Sequence, residues 1–480
     1  MEEKKRVFIS TAIPYVNAKP HIGFALELVQ ADTYARFKRS EGADVFFLTG
    51  TDENSLKNVQ AAEEAGKETS VFVEKNAKFF EKLVQDLSIS NDDFIRTSVE
   101  ERHKRGAEKL WKACQHDIYK KKYKGFYCVG CEEFKTEKDL NEKGRCPEHP
   151  NKDIEIVEEE NYFFKLSNYQ EKLKEAIETG KIQIIPEKRK NEMLSFIKTG
   201  LEDFSISRSK ERAKGWGISV PKDENQVMYV WFDALVNYIS CLGWPDDLKK
   251  MKQYWPGLQV CGKDNLRQQA AMWPAMLMSA GLTPADQVLI FGFLTINNQK
   301  ISKSLGNTVD PKVLVNQYGI DAVRYYLISE IPTFYDGDYS EEKFLLKYNA
   351  DLANGLGNLV ARVSNLLEKN QIELKLKEGS DKKLRKDFMA IMDQYDLSAA
   401  LSFLWQKIRE NDEYLSQNKP WKLEDKTKIK KILAASAQNI LNLAILISIF
   451  LPQTGEEIRK QFLEKQIRKK DSLFPRIEIK

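Results

Sequence analysis

The N-terminal β–α–β pattern limits this chain's fold more than any other feature. "RVFIST" is a short run of apolar and β-branched residues, and "ADVFFLTGTDENS" is a second one. Between them, from His21 onward, the spacing predicts a helix. That helix is apolar round much of its surface (Ala25, Leu26, Leu28, Val29, Ala31, Ala35), as a helix covering a parallel sheet must be. Such a unit starts a doubly wound, Rossmann-type α/β fold. The pattern returns in "GLQVCGKDN", "LRQQAAMWPAMLMSAG" and "DQVLIFGF". Residues 115–225, between the two halves, hold clustered cysteines and many charges, and read as an insertion that splits the sheet. Strand signals stop after about Lys343. "DLANGLGNLVARVSNLLEKN", "LSAALSFLWQKIREND" and "KIKKILAASAQNILNLAILISIF" then carry helical periodicity, so an α-helical bundle is expected to follow the sheet.

Composition narrows the class. A length of 480 residues calls for several domains, and 42% hydrophobic with 30% charged residues describes a globular chain. "MEEKKRVFIS" lacks the apolar run of a secretory signal. The most apolar stretch, "ILNLAILISIFLP", is interrupted by Asn442 and Ser448 and reads as a buried helix rather than a membrane span. Six cysteines without an export signal point to reduced thiols and a cytoplasmic setting. Net charge is only +4, but from Asp351 onward 24 Lys+Arg face 18 Asp+Glu. That surplus suits either phosphates or a solvated helical surface.

Three motifs carry chemistry. In "NAKPHIGF" a strand has ended and a helix begins, so free N–H groups and a partial positive charge meet at Gly23. Glycine there lets a flat base approach, and His21 can donate to a phosphate oxygen. Taken alone, three residues fit a core-satisfied histidine better than a nucleotide site. "KISKSLGN" puts Lys300 and Lys303 among small hydroxyl residues and a glycine, a cationic loop able to close over a triphosphate. "YCVGC…RCPEH" supplies Cys128, Cys131, Cys146 and His149, two pairs 14 residues apart. Four such ligands complete a tetrahedron and leave no position for water, so a structural Zn²⁺ is expected.

The ordered pair of "HIG" and "KISKS" resembles class I aminoacyl-tRNA synthetases. "AIPYVNAKPHIG", "FLTGTDEN", "SISR", "WGISVP", "YVWFDALVNY", "GKDNLRQQAAMWPA" and "YGIDAVRYYLISEIP" narrow the resemblance to the methionyl-tRNA synthetase family over nearly the whole chain. It implies a catalytic domain at 1–114 and 226–299, a zinc-bearing connective insertion at 115–225, a loop and stem-contact region at 300–345, and an anticodon-binding bundle at 346–480. It implies ATP-dependent activation of L-methionine and transfer to the 3′ end of tRNA(Met), serving initiation and elongation.

The methionine pocket maps onto Ile13, Tyr15, Asp52, Trp231, Ala234, Tyr238, Asn265 and Gln269. Aromatic faces suit a thioether and Asp52 suits an ammonium group. ATP, with Mg²⁺, falls to His21, Gly23, Glu27, Asp264 and Lys303, with Lys300 assisting. Arg208 of "SISR" is expected near the acceptor end or the substrate. Asn358 and Arg362, one turn apart, and Trp421 are the implied anticodon readers.

Three positions depart from the pattern. Phe24, Asn54 and Gln269 stand where histidine is expected. Phe24 cannot donate to phosphate, whereas Asn54 and Gln269 keep hydrogen-bonding ability without a titrating proton. The intact loop, knuckle and anticodon set argue for a working variant. A synthetase for another aliphatic amino acid or for cysteine, and a non-catalytic tRNA-binding scaffold, are the rivals. A cytoplasmic monomer without a membrane partner is expected.

Overall fold

The computed structural model describes residues 4–128, 130, 133–135, 137–147, 150, 153–301 and 306–478. The chain divides into two units. The first comprises Met1–Pro20, Ala43–Lys82 and Asn91–Ile290, and the second His21–Gly42, Leu83–Ser90 and Phe291–Lys480.

The first unit is built on a six-stranded parallel sheet. Its strands are β1 (Arg6–Thr11), β2 (Asp44–Thr51), β3 (Asp93–Arg96), then β6 (Gln183–Ile185), β7 (Leu258–Gly262) and β8 (Gln287–Phe291). Their order across the sheet is β3-β2-β1-β7-β8-β6. β1 pairs in parallel with β2, Phe8 opposite Phe46, and with β7, Ile9 opposite Leu258. Phe8, Ile9, Phe47, Leu48 and Cys261 are fully buried, as expected of strands covered on both faces. Because β1 has neighbours reached in opposite directions along the chain, its carboxyl end is a topological switch point, where open α/β sheets bind ligands.

Two strands of the insertion, β4 (Ile118–Cys128) and β5 (Glu155–Phe164), form a long antiparallel ladder from Ile118↔Phe164 to Tyr127↔Glu155. The insertion also does something its patterning does not reveal. Its residues Gln183–Ile185 form β6, which pairs with β8 and ends the main sheet. Three residues are too short a run to separate from loop by periodicity alone.

The second unit holds α1 (Ile22–Ser40), the segment that leads from β1 to β2 in the chain. It packs against helices α4 (Ile320–Ser329) and α7 (Lys426–Phe450), and the same unit holds α5 (Asn358–Lys369) and α6 (Leu397–Asn418), whereas α2 (Glu101–Ala113) and α3 (Val230–Asp233) belong to the first unit. A fully buried ion pair ties the second unit together. Arg324 of α4 meets Asp32 of α1 at 2.7 Å and donates to the carbonyls of Leu87 and Phe450. Burial alone would disfavour a charged Asp32, yet Arg324 and Arg36 outweigh it and hold the carboxyl below its ordinary range. α7 is long and apolar enough by length and composition to cross a membrane, and 67% of that apolar window is buried within the chain.

Candidate functional site

At the carboxyl end of β1 the chain runs through Ile13 to Tyr15, whose backbone forms a parallel bridge with Asp52 at the end of β2. The Asp52 amide donates to the Pro14 carbonyl at 2.8 Å, which locks these two strand ends together. Ile13, Tyr15 and Trp231 pack against Tyr229, Val230 and Ala234, so α3 (Val230–Asp233) forms one wall of a slot. The Tyr15 and Trp231 rings lie 6.2 Å apart, tilted by 57°. Tyr238 and Trp273 make a second tilted pair at 6.1 Å. Gln269 donates to the Tyr238 hydroxyl at 2.6 Å from a π-helical stretch, Gln268–Met272, that interrupts the helix expected there. Among the described residues, Trp231 Nε1 and Gln269 Oε1 are buried without a hydrogen-bond partner. Five of the eight residues expected to hold the amino acid, Ile13, Tyr15, Asp52, Trp231 and Ala234, therefore converge. Tyr238 and Gln269 join them as a bonded pair, while Asn265 and Asp264 stand on the turn Lys263–Asn265 at the carboxyl end of β7.

Behind that slot lies a buried polar set of which the sequence marked Asn54 but not its partners. Asn54 Nδ2 donates to Asp233 Oδ2 at 2.9 Å, and Asp233 Oδ1 lies 3.6 Å from His103 Nε2. His103, on α2 (Glu101–Ala113), is fully buried, with Nδ1 3.4 Å from the Ser240 hydroxyl. Burial pushes the Asp233 carboxyl above its ordinary range, opposed in part by His103 and Asn54. Nothing in local sequence marks these residues as partners, since Asn54 and Asp233 are 179 positions apart. Arg208, expected near the acceptor end, is buried. Its guanidinium lies 4.7 Å from the ring centre of Tyr229 and donates to the Tyr127 hydroxyl at 3.1 Å.

The second unit carries the "HIG" turn. His21 is the N-cap of α1, and its Nδ1 accepts from the Gly23 amide at 3.1 Å. A ring nitrogen that accepts is unprotonated, so neutral His21 carries its proton on Nε2 and presents a donor there. Burial lowers its pKa to about 4. Phe24 stacks on the imidazole, with centroids 4.4 Å apart and planes 26° from parallel. The residue in the expected place of a second histidine thus serves the first. Gly23 is required by this packing, because a Cβ would come within 2.9 Å of His21 Cε1. The same Cβ would lie 3.5 Å from Ile301 Cδ1, and the Ile22 amide donates to the Val309 carbonyl at 3.0 Å. Residues on both sides of the cationic loop are therefore brought to the "HIG" turn. Lys303 lies outside the described residues, and Lys300 is described by its pairing with Thr295 alone. Glu27 sits half-buried one turn into α1.

Of the expected metal ligands, Cys128 closes β4 and is buried, as is Cys146, while Cys131 and His149 lie outside the described residues. No group of three or more metal-binding side chains occurs among the described residues. In the bundle, Arg362 of α5 lies 5.9 Å from the ring of Trp421, which is 46% exposed, and pairs with Asp412 at 3.1 Å. Asn358, one turn earlier on α5, is exposed.

Comparison with known proteins identifies the family. The family described as "tRNA synthetases class I (M)" matches residues 7–155 and 149–364. The methionine–tRNA ligase of Thermotoga maritima is 41% identical over 96% of this chain and 76% of its own length. That of Brucella suis is 40% identical over 95% and 91%. Mycobacterium tuberculosis methionyl-tRNA synthetase bound by methionyl-adenylate superposes with a TM-score of 0.90 at 34% identity, covering 98% of this chain and 100% of that one. A second structure with the same adenylate gives 0.87 at 36% identity over 95% and 94%.

Proposed function

From the premise that this chain belongs to the class I tRNA synthetases of the methionine type, we propose that the slot beside β1 binds L-methionine for activation by ATP. The enzyme is a methionine–tRNA ligase. It joins methionine to AMP and then to tRNA(Met). The observation that carries the site assignment is the union of Asp52 with Tyr15 and Trp231 at the sheet's switch point.

In this reading Asp52 pairs with the substrate ammonium, while Ile13, Tyr15, Trp231, Ala234 and Tyr238 enclose the thioether. Gln269 fixes the Tyr238 hydroxyl, and Asn265 adds a polar contact. The methionine carboxylate attacks the α-phosphorus and the α–β phosphoanhydride bond breaks. Pyrophosphate leaves with the electron pair. A terminal ribose hydroxyl of the tRNA next attacks the methionyl carbonyl, its proton departs to solvent, and AMP is released. No protein nucleophile is needed, so rate comes from positioning and charge stabilisation. Neutral His21 donates Nε2–H to a phosphate oxygen, Gly23 leaves room for the nucleotide, and the N-terminus of α1 adds its dipole. Glu27 and Asp264 orient the nucleoside. Lys303, assisted by Lys300, stabilises charge on the leaving pyrophosphate. Mg²⁺, when bound with ATP, neutralises the same phosphates.

The buried thiols of Cys128 and Cys146 fit a structural Zn²⁺ completed by Cys131 and His149, whose chemistry is to hold the knuckle together. Metal analysis tests this, with one zinc per chain expected in wild type and none in Cys146→Ser. Asn358, Arg362 and Trp421 read the anticodon. We infer a cytoplasmic monomer without a membrane partner. The burial of most of the apolar window of α7 within the chain supports the absence of a membrane partner.

Amino-acid-dependent ATP–pyrophosphate exchange tests the reading. Methionine, and not leucine, valine, isoleucine or cysteine, is expected to stimulate exchange, and Lys303→Ala to lose roughly a hundredfold or more in kcat. tRNA binding without methionine-stimulated exchange would favour the non-catalytic scaffold instead.

A further inference from the structure

The three groups behind the slot join elements far apart in sequence, and two of those elements carry its opposing faces. Asn54 is two residues beyond Asp52, and Asp233 is two residues beyond Trp231. The 2.9 Å bond from Asn54 to Asp233 therefore spans the carboxylate side and the indole side. His103 backs Asp233 from α2, and Ser240 follows on the segment that bears Tyr238. All are sealed from solvent, Asn54 being the most exposed of the three at 8%.

We propose that Asn54, Asp233 and His103 form a positioning tie that sets the separation of Asp52 from Trp231, and with it the fit of the methionine side chain. This rests on the reading of the slot as the methionine site. A carboxylate kept wholly inside the chain costs free energy unless its oxygens are met. Here Oδ2 is met by Asn54 when β2's end and α3 hold the observed spacing, while Oδ1 faces His103 Nε2 at 3.6 Å without a hydrogen bond, so the Asn54 bond penalises any wider or narrower slot. Asn54 is a donor without a titrating proton, so the bond to Asp233 does not depend on the protonation of residue 54. None of the three residues bonds to atoms of ATP in this scheme, so the consequence falls on the amino acid.

The test is steady-state exchange with methionine and ATP varied separately, together with the Tm of each variant. Asn54→Leu keeps the volume and removes the donor. It is expected to raise KM for methionine about tenfold to a hundredfold, the range a lost hydrogen bond to a charged group produces. KM for ATP and kcat are expected to stay within about twofold, because only ground-state fit of one substrate changes. His103→Gln is expected to move the methionine KM in the same direction by less, and it decides the matter should Asn54→Leu not fold. An unchanged methionine KM in both variants overturns the tie. So does an equal rise in both KM values alongside a fallen Tm, which is the signature of general loosening. A wild-type chain indifferent to methionine would overturn the slot reading itself, and the tie with it.

Discussion

Replacing Phe24 by alanine tests how the "HIG" turn works. In the wild type the imidazole of His21 is stacked by Phe24 at 4.4 Å, accepts from the Gly23 amide, and has its pKa lowered from 6.5 to about 4 by burial. That displacement corresponds to about 3 kcal/mol against the imidazolium. Removing the ring admits water to one face of the imidazole. If that face accounts for two-fifths of the penalty, the pKa rises by about one unit, or about 1.4 kcal/mol. Loss of the ring pair costs a further ~1 kcal/mol of local order.

The sign of the pH effect follows directly. His21 binds its proton more weakly folded than unfolded, so its stabilising effect is complete above the unfolded value of 6.5 and declines as pH falls from there toward about 4. In Phe24→Ala the decline ends nearer 5, so less stability is lost. The chain has four histidines, so an imidazole nitrogen–proton NMR titration resolves each, with His21→Gln making the assignment. His21 titrating near 6.5 in the wild type, or at the same pH with and without Phe24, would refute this account.

Gly23→Ala should displace the imidazole, because its Cβ would stand 2.9 Å from Cε1; kcat/KM for ATP is expected to fall roughly tenfold or more in pyrophosphate exchange. Arg324→Met leaves Asp32 buried without its main partner and should cost about 3–5 kcal/mol in urea unfolding. In the wild type the Asp32 contribution is present at neutral pH and is lost as pH falls through its depressed folded pKa. Trp421→Ala removes an exposed stacking face and should reduce charging of tRNA(Met) by about 1–3 kcal/mol in kcat/KM, while methionine-dependent exchange without tRNA is unchanged.

The parallel sheet, the helical C-terminal part and the family were legible because each rests on repeating or contiguous signals. β1 and β2 are runs of buried apolar residues, and α6 and α7 keep helical periodicity over 22 and 25 residues. "HIG" and "KISKS" are contiguous strings whose chemistry is local. β6 escaped notice because three residues carry no period, and its place at the sheet edge comes from pairing with β8. The π-helical stretch at Gln268–Met272 was equally invisible, since it uses the same residue types as the α-helix around it.

By itself the sequence determined which side chains are available: an aspartate after β2, a tryptophan in "VWFD", a histidine before Gly23, and a phenylalanine beside it. Only the tertiary structure decided what each one does. Phe24 became the stacking partner of His21 because the first turn of a helix brings positions three apart onto one face. Asp233 found Asn54 as a donor and His103 as a neighbour because chain crossovers carried three distant segments behind one slot. Local pattern encodes elements, whereas partnership between elements is set by packing, and packing has no address in the linear order of residues.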